Sequence, residues 1–225
     1  MASNLKAAKS SYFLLKTEPF EFSISDLKNS PAGISEWTGI RNAQAKTILC
    51  KAVPGDVCFI YHSSCGKDVG IAGTARVVRE PYSDPTSFDV KSKYFDAREA
   101  AKFRPVIADA DAKWKCVDVE YIDTWDPPVL LSSLKALVAA PDSCLGAALK
   151  NMQLFRFSRL SVQEVRLEEA QALFQLRDRG GVESAGPCLH RTPPPGGAKR
   201  AQTASSNSSS LGKTTKRRKS SPLKV

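Results

Sequence analysis

The 225-residue sequence is poor in the residues on which many common chemistries depend. Of its two histidines, His62 and His190, the second falls in a tail that reads as disordered. The six cysteines (Cys50, Cys58, Cys65, Cys116, Cys144 and Cys188) fall at no paired spacing. With no signal peptide ahead of them, they read as reduced thiols of an intracellular protein rather than a disulfide framework. No apolar run approaches the roughly 18–20 residues a membrane helix needs, so no membrane partner is expected. There is no Gly-x-Ser-x-Gly elbow and no phosphate loop, and no cofactor is implied. His62-Ser63-Ser64-Cys65 superficially pairs a base with nucleophiles. No acid is fixed by a motif to orient the imidazole, and His62-x-x-Cys65 supplies only two metal ligands. A non-enzymatic protein is the expectation.

Acidic residues are also missing, but only at the ends of the chain. Residues 11–180 carry 22 Lys+Arg and 22 Asp+Glu and are neutral. Residues 1–10 add Lys6 and Lys9, and residues 181–225 add nine Lys+Arg against Glu183 alone. The net charge of +10 and the isoelectric point near 9.4 therefore belong to the termini. A broad basic nucleic-acid face on the central part does not follow from them. Residues 1–10 contain no arginine and little apolar surface, which argues against a transit peptide and for a short flexible N-terminus.

What is present divides into a central domain and a tail. Beyond residue 180, Pro193-Pro194-Pro195-Gly196-Gly197 leads into a Ser/Thr/Ala-rich stretch and then Lys216-Arg217-Arg218-Lys219. Large apolar residues are too scarce there to offset ordering entropy, so 181–225 reads as a disordered basic tail. The Lys216–Lys219 run, with Lys199-Arg200 upstream, has the form of a nuclear localisation signal that would engage the import machinery and make the protein nuclear. Ser221-Pro222 is a candidate proline-directed phosphosite; a phosphate there would add about −1.5 to −2 charge and weaken an electrostatic arm.

Within 11–180, Tyr12–Lys16 reads as a strand and Ser23-Ile24-Ser25-Asp26 as a capping box opening a short helix to Asn29. Asn42 caps a second helix, Ala43–Ala52, with Ala45, Ile48, Leu49 and Ala52 on one face. Strands are expected at Val57–Tyr61, Gly70–Arg79 and Lys115–Ile122, the last closed by Asp126-Pro127-Pro128. Residues 84–112 read as a long excursion with a short helix near Asp96–Phe103. A helix over Leu131–Ala139, strands at Leu154–Phe157 and Leu160–Val165, and a helix over Leu167–Arg177 complete an irregular α+β pattern.

Two segments carry candidate chemistry. Trp37-Thr38-Gly39-Ile40-Arg41-Asn42 sets an aromatic ahead of a turn, a fork of donors and a helix cap. Phe59-Ile60-Tyr61-His62-Ser63 ends an apolar strand in a ring, an imidazole and a hydroxyl. Strand alternation sends Tyr61 and Ser63 to the same face. Together they suit a pocket for one flat polar ring: Trp37 as a stacking platform, Tyr61 as a second wall, Arg41, His62 and Ser63 as edge donors or acceptors. Asn42 serves chiefly as the cap. Lys16 and Thr17, with Glu18, follow the first strand and fall near the same mouth.

Trp37-Thr38-Gly39-Ile40-Arg41-Asn42-Ala43-Gln44-Ala45 resembles the Trp-x-Gly-Val-Arg-Asn-Tyr-Gln-Ala signature of EVE domains, members of the PUA-like superfamily. Tyr12–Pro19, Phe59–Ser63, Gly70–Gly73, Lys113-Trp114 with Val117–Val119, Leu149–Met152 and Arg159–Val162 resemble further blocks of that family in the same order. The resemblance implies a closed mixed β-barrel flanked by short helices, with a pocket on one side. It implies recognition of a modified nucleobase, 5-substituted cytosine in DNA being favoured, and it brings Asn151 forward as a base-edge reader. Ala43 departs from the pattern, which often has an aromatic there. The competing expectations are an RNA-binding PUA-like module and a protein-interaction adaptor. Local basic groups (Arg76 and Arg79; Lys91 and Lys93; Arg98, Lys102 and Arg104) would then track phosphates.

Overall fold

The computed structural model describes residues 10–102 and 112–180. The localisation signal at Lys216–Lys219, the phosphosite at Ser221, Arg104 and the N-terminal nine residues lie outside them.

Alternation builds the centre of the fold. In β1 (Tyr12–Thr17), Phe13 and Leu15 face one core while Leu14 faces another; in β3 (Val57–His62), Cys58 and Ile60 oppose Phe59 and Tyr61 in the same way. β1 and β3 run parallel, Tyr12 opposite Val57 through Thr17 opposite His62. Around them, β2 (Ile34–Trp37), β4 (Gly70–Ser83), β5 (Lys115–Leu130) and β6 (Val162–Val165) complete one mixed sheet in the order β2-β5-β4-β3-β1-β6.

The α+β class holds, but the closed barrel does not: the sheet is open. Its edge strands β2 and β6 have four residues each, too little ladder to bridge the gap. Helix α2 (Ala43–Leu49) fills that gap instead, touching both β5 and β6 and putting Ala45, Ile48 and Leu49 into the first core. Helix α1 (Ile24–Asn29) packs on β2 and β5 beside it, opened by the expected Ser23–Asp26 capping box. The long strands β4 and β5 coil through successive register shifts.

α3 (Ala97–Lys102) lies in the long excursion between β4 and β5. The second core lies under α4 (Leu131–Ala139), α5 (Cys144–Leu149), α6 (Gln153–Arg156) and α7 (Leu167–Asp178), with Trp125, Phe59 and Phe174 in mutual ring contact. Four elements differ from the sequence reading. Leu154–Phe157 is not a strand: Leu149, Met152 and Phe155 recur at helical spacing against this core, and residues 153–156 form α6. Asp126-Pro127-Pro128 does not end β5. The prolines sit in a bulge between the pairs Thr124–Gly73 and Val129–Ile71, where no ladder N–H is required of them. β2 and α5 have no counterpart in the sequence reading.

Candidate nucleic-acid interface

Where β1 and β3 run out, a cleft of about 940 Å³ opens, within the roughly 300–1,000 Å³ usual for ligand sites. Its floor is Lys16, Thr17 and Ser63, and one wall is the end of β2 with its turn, Ser35 to Ile40. The 18–22 turn, Lys93-Tyr94 and the Ser158–Ser161 segment complete it.

The β2 wall is held from behind. Gly39 has φ +81, and a Cβ there would stand 2.7 Å from the Tyr94 ring, so both its backbone and its neighbour exclude a side chain. Its N–H donates to Asp84 Oδ2 at 2.9 Å. Arg41 donates from Nη1 to the same oxygen at 2.7 Å, from Nε to the Tyr94 carbonyl at 2.7 Å and from Nη2 to Thr86 Oγ1 at 2.9 Å. Asp84, fully buried, also accepts from the Thr86 N–H and hydroxyl. This hub ties the 37–41 turn to the 84–94 loop. The donor fork of Arg41 is consumed within the protein, and Arg41 does not line the cleft.

Trp37 does line it, at 5% exposure, with its ring edge-to-face on Phe22 at 6.0 Å. It is both a core residue and a wall, so little of its surface is open to a ligand. Lys16 Nζ donates to the carbonyls of Ser158 (2.9 Å) and Phe157 (3.3 Å) and sits 5.6 Å from the Tyr61 ring centre. Burial lowers its ammonium to about 8. Thr17 Oγ1 donates to the Phe22 carbonyl at 2.8 Å, and Ser63 Oγ to the Thr17 carbonyl at 3.1 Å. Glu21 pairs with Lys93, and Ser64 Oγ donates to Glu18 Oε1. Tyr82 OH donates toward both Glu36 Oε1 and Asp118 Oδ1. Arg159 is exposed and has no ion-pair partner among the described residues.

The structure thus brings Lys16, Thr17, Trp37 and Ser63 together. The other sequence candidates are elsewhere. Tyr61 packs in the second core at 4% exposure, its hydroxyl pushed up to about 12 by burial first and Cys65 second. Ser63, one residue past the end of β3, lines the cleft and Tyr61 does not. His62 accepts the Ile24 N–H on Nε2 at 3.0 Å, covering a free donor at the start of α1. Burial lowers its pKa, Asp26 partly opposing. Cys65 Sγ approaches the His62 carbonyl (3.8 Å), and the imidazole acceptor is already occupied by Ile24. Asn42 caps α2 through the Ala45 N–H at 3.0 Å, with Ala43 exposed at the first helical position. Asn151 is exposed in the turn between α5 and α6 and does not line the cleft, while Met152 packs in the core.

Sequence reasoning assigned no pocket role to Glu21, Phe22, Lys93, Tyr94 or the 158–161 segment. The Arg159–Val162 block offered a signal, because its order along the chain matched the family without any chemistry assigned to it. Lys93 and Tyr94 had none, since only folding carries the excursion back over the cleft.

The EVE domain family model matches residues 11–176. Human thymocyte nuclear protein 1 is 35% identical over 179 residues, covering 76% of this chain and 75% of the relative. The Gallus gallus protein of the same name is 36% identical over 176 residues, covering 74% and 69%. Among solved structures, human THYN1 protein in complex with 5-methylcytosine-containing DNA superposes with a TM-score of 0.65 at 34% identity, covering 75% of this chain and 98% of that one. A hypothetical protein from Leishmania major gives 0.64 at 34% identity, covering 77% and 98%. A family match spanning nearly the whole described fold, joined to relatives at this identity, makes the chain a member of the EVE domain family.

Proposed function

We propose that the chain is a non-enzymatic nuclear reader that takes a modified base of DNA, 5-substituted cytosine favoured, into the cleft at the ends of β1 and β3. The observation that carries this is a cleft with room for a base, lined by an aromatic pair, Trp37 on Phe22, together with hydroxyls and carboxylates. Cytosine presents a donor at N4 and acceptors on the rest of its edge, which such a mixture can satisfy. The related human protein bound to 5-methylcytosine DNA supports the same ligand class.

The contacts are narrower than the sequence suggested. Trp37, Thr17, Lys16 and Ser63 line the site; Arg41, Asn42, His62, Tyr61 and Asn151 act at a distance or elsewhere. Trp37 is only 5% exposed, so its stacking contributes toward the lower end of the ~1–3 kcal/mol per base available to a free aromatic face. One methyl group adds about 1–3 kcal/mol of discrimination at most. Broad phosphate tracking by the domain is weak on this reading, because Arg76, Arg79 and Lys93 are each engaged by Glu120, Asp118 and Glu21. Lys216–Lys219 serves import, adding weak phosphate contacts from the tail.

The test is titration of the full chain against matched DNA and RNA oligonucleotides with and without 5-methylcytosine, beside Thr17→Val and Ser63→Ala. Preference for methylated DNA of about five- to fifty-fold, reduced by either variant, is expected. Equal binding to all oligonucleotides, unchanged in both variants, removes the reader and leaves the adaptor.

A further inference from the structure

Among the described residues, two aromatic side chains are exposed, and both adjoin in the chain residues that line the cleft. Phe20 is 74% exposed on the 18–22 turn, whose Glu18, Glu21 and Phe22 line the cleft. Phe157 is 47% exposed immediately before Ser158, which also lines it. A single exposed apolar side chain needs no explanation. Here, however, every other described aromatic is at least partly covered, and the two exceptions both neighbour the lining of one cleft.

The turn that bears Phe20 is pinned. The Glu21 and Phe22 N–H groups both donate to the Glu18 carbonyl, Thr17 Oγ1 reaches the Phe22 carbonyl, and Ser64 and Lys93 hold Glu18 and Glu21. Phe20 is therefore presented outward by a fixed scaffold. It lies three residues from Thr17 on the floor, so its Cα is within about 10–11 Å of that floor residue. A base leaving a duplex for such a cleft opens a gap in the stack, at a cost of a few kcal/mol that an apolar wedge offsets. Charge fits as well: Arg159, which lines the cleft and has no ion-pair partner among the described residues, stands two residues from Phe157.

We propose that Phe20 is a wedge that enters base-paired DNA beside the nucleotide turned out into the cleft, with Phe157 as a second apolar contact on the rim. The partner is thus a duplex rather than a single strand. The inference rests on the reader function but is separable from it.

The test uses the full chain and four oligonucleotides of one sequence: a paired duplex with one 5-methylcytosine, the same duplex unmethylated, the methylated duplex with that base mispaired, and the single strand. A neighbouring 2-aminopurine reports unstacking. Phe20→Ala should weaken the paired duplex about tenfold, the mispaired duplex about threefold and the single strand less than twofold, with loss of the 2-aminopurine rise. Phe20→Leu should restore most of the duplex affinity. Equal losses on duplex and single strand would make Phe20 a stacking surface and overturn the wedge; so would an unchanged duplex affinity. If methylated and unmethylated duplexes bind alike while the duplex-specific loss persists, the base reader fails and the wedge stands.

Discussion

Replacing Arg41 with alanine separates what this residue does in the fold from what its sequence neighbourhood suggests. The side chain is 21% exposed and makes three long-range hydrogen bonds, to Asp84, Thr86 and the Tyr94 carbonyl. Removing one member of a buried ion pair costs about 3–5 kcal/mol when the remaining charge is left alone. Asp84 would not be alone, because the Gly39 and Thr86 N–H groups and the Thr86 hydroxyl still donate to it. The expected loss is therefore about 2–3 kcal/mol, or roughly 5–10 °C in Tm for a domain of this size. Arg41→Lys should recover less than half of it, since an ammonium cannot reproduce the planar fork. The measurement is calorimetry of the full chain, paired with titration against methylated duplex well below the transition. Affinity should fall only several-fold, through loosening of the 37–40 wall. A variant that keeps its Tm within 2 °C yet loses binding altogether would refute the assignment and return Arg41 to the ligand.

Two further outcomes follow from the same geometry. Gly39→Ala should destabilise by about 1–3 kcal/mol and displace Tyr94, because it adds positive-φ strain to a contact with that ring; the readout is Tm and near-ultraviolet dichroism. His62 is held below its usual pKa by burial, with Nε2 accepting from Ile24. Its neutral form is favoured in the fold, so the unfolded chain binds the extra proton first. The His62 contribution to stability should be flat above about pH 6.5 and fall as pH drops from there toward the lowered folded value. Denaturant titrations at pH 7.5 and 5.5 measure this, and His62→Gln should remove the His62 part of the slope. A slope unchanged in that variant would assign the pH dependence to other groups.

Much of the scaffold was legible because it is written in local rules. The capping box at Ser23–Asp26, the cap at Asn42 and the alternation of Phe13, Leu14 and Leu15 need only neighbours in sequence to be read. Leu154–Phe157 defeats a local reading because four residues, three of them apolar, are too few to show a period, and a core assembled from α4, α5 and α7 decides it. The site was half legible. Trp37, Thr17, Lys16 and Ser63 reach the cleft, whereas His62 and Arg41 were captured by partners 38 and 43 residues away.

By itself, then, the sequence determined the α+β class, the caps, most strands and the family, since short-range periodicity and ordered motifs carry them. Only the tertiary structure decided that the sheet stays open, with α2 in the gap, and that the arginine fork and the imidazole serve the fold. The reason is physical: a polar side chain satisfies whichever group folding brings within hydrogen-bond reach, and that group is set by the register of distant strands and loops rather than by its neighbours in the chain.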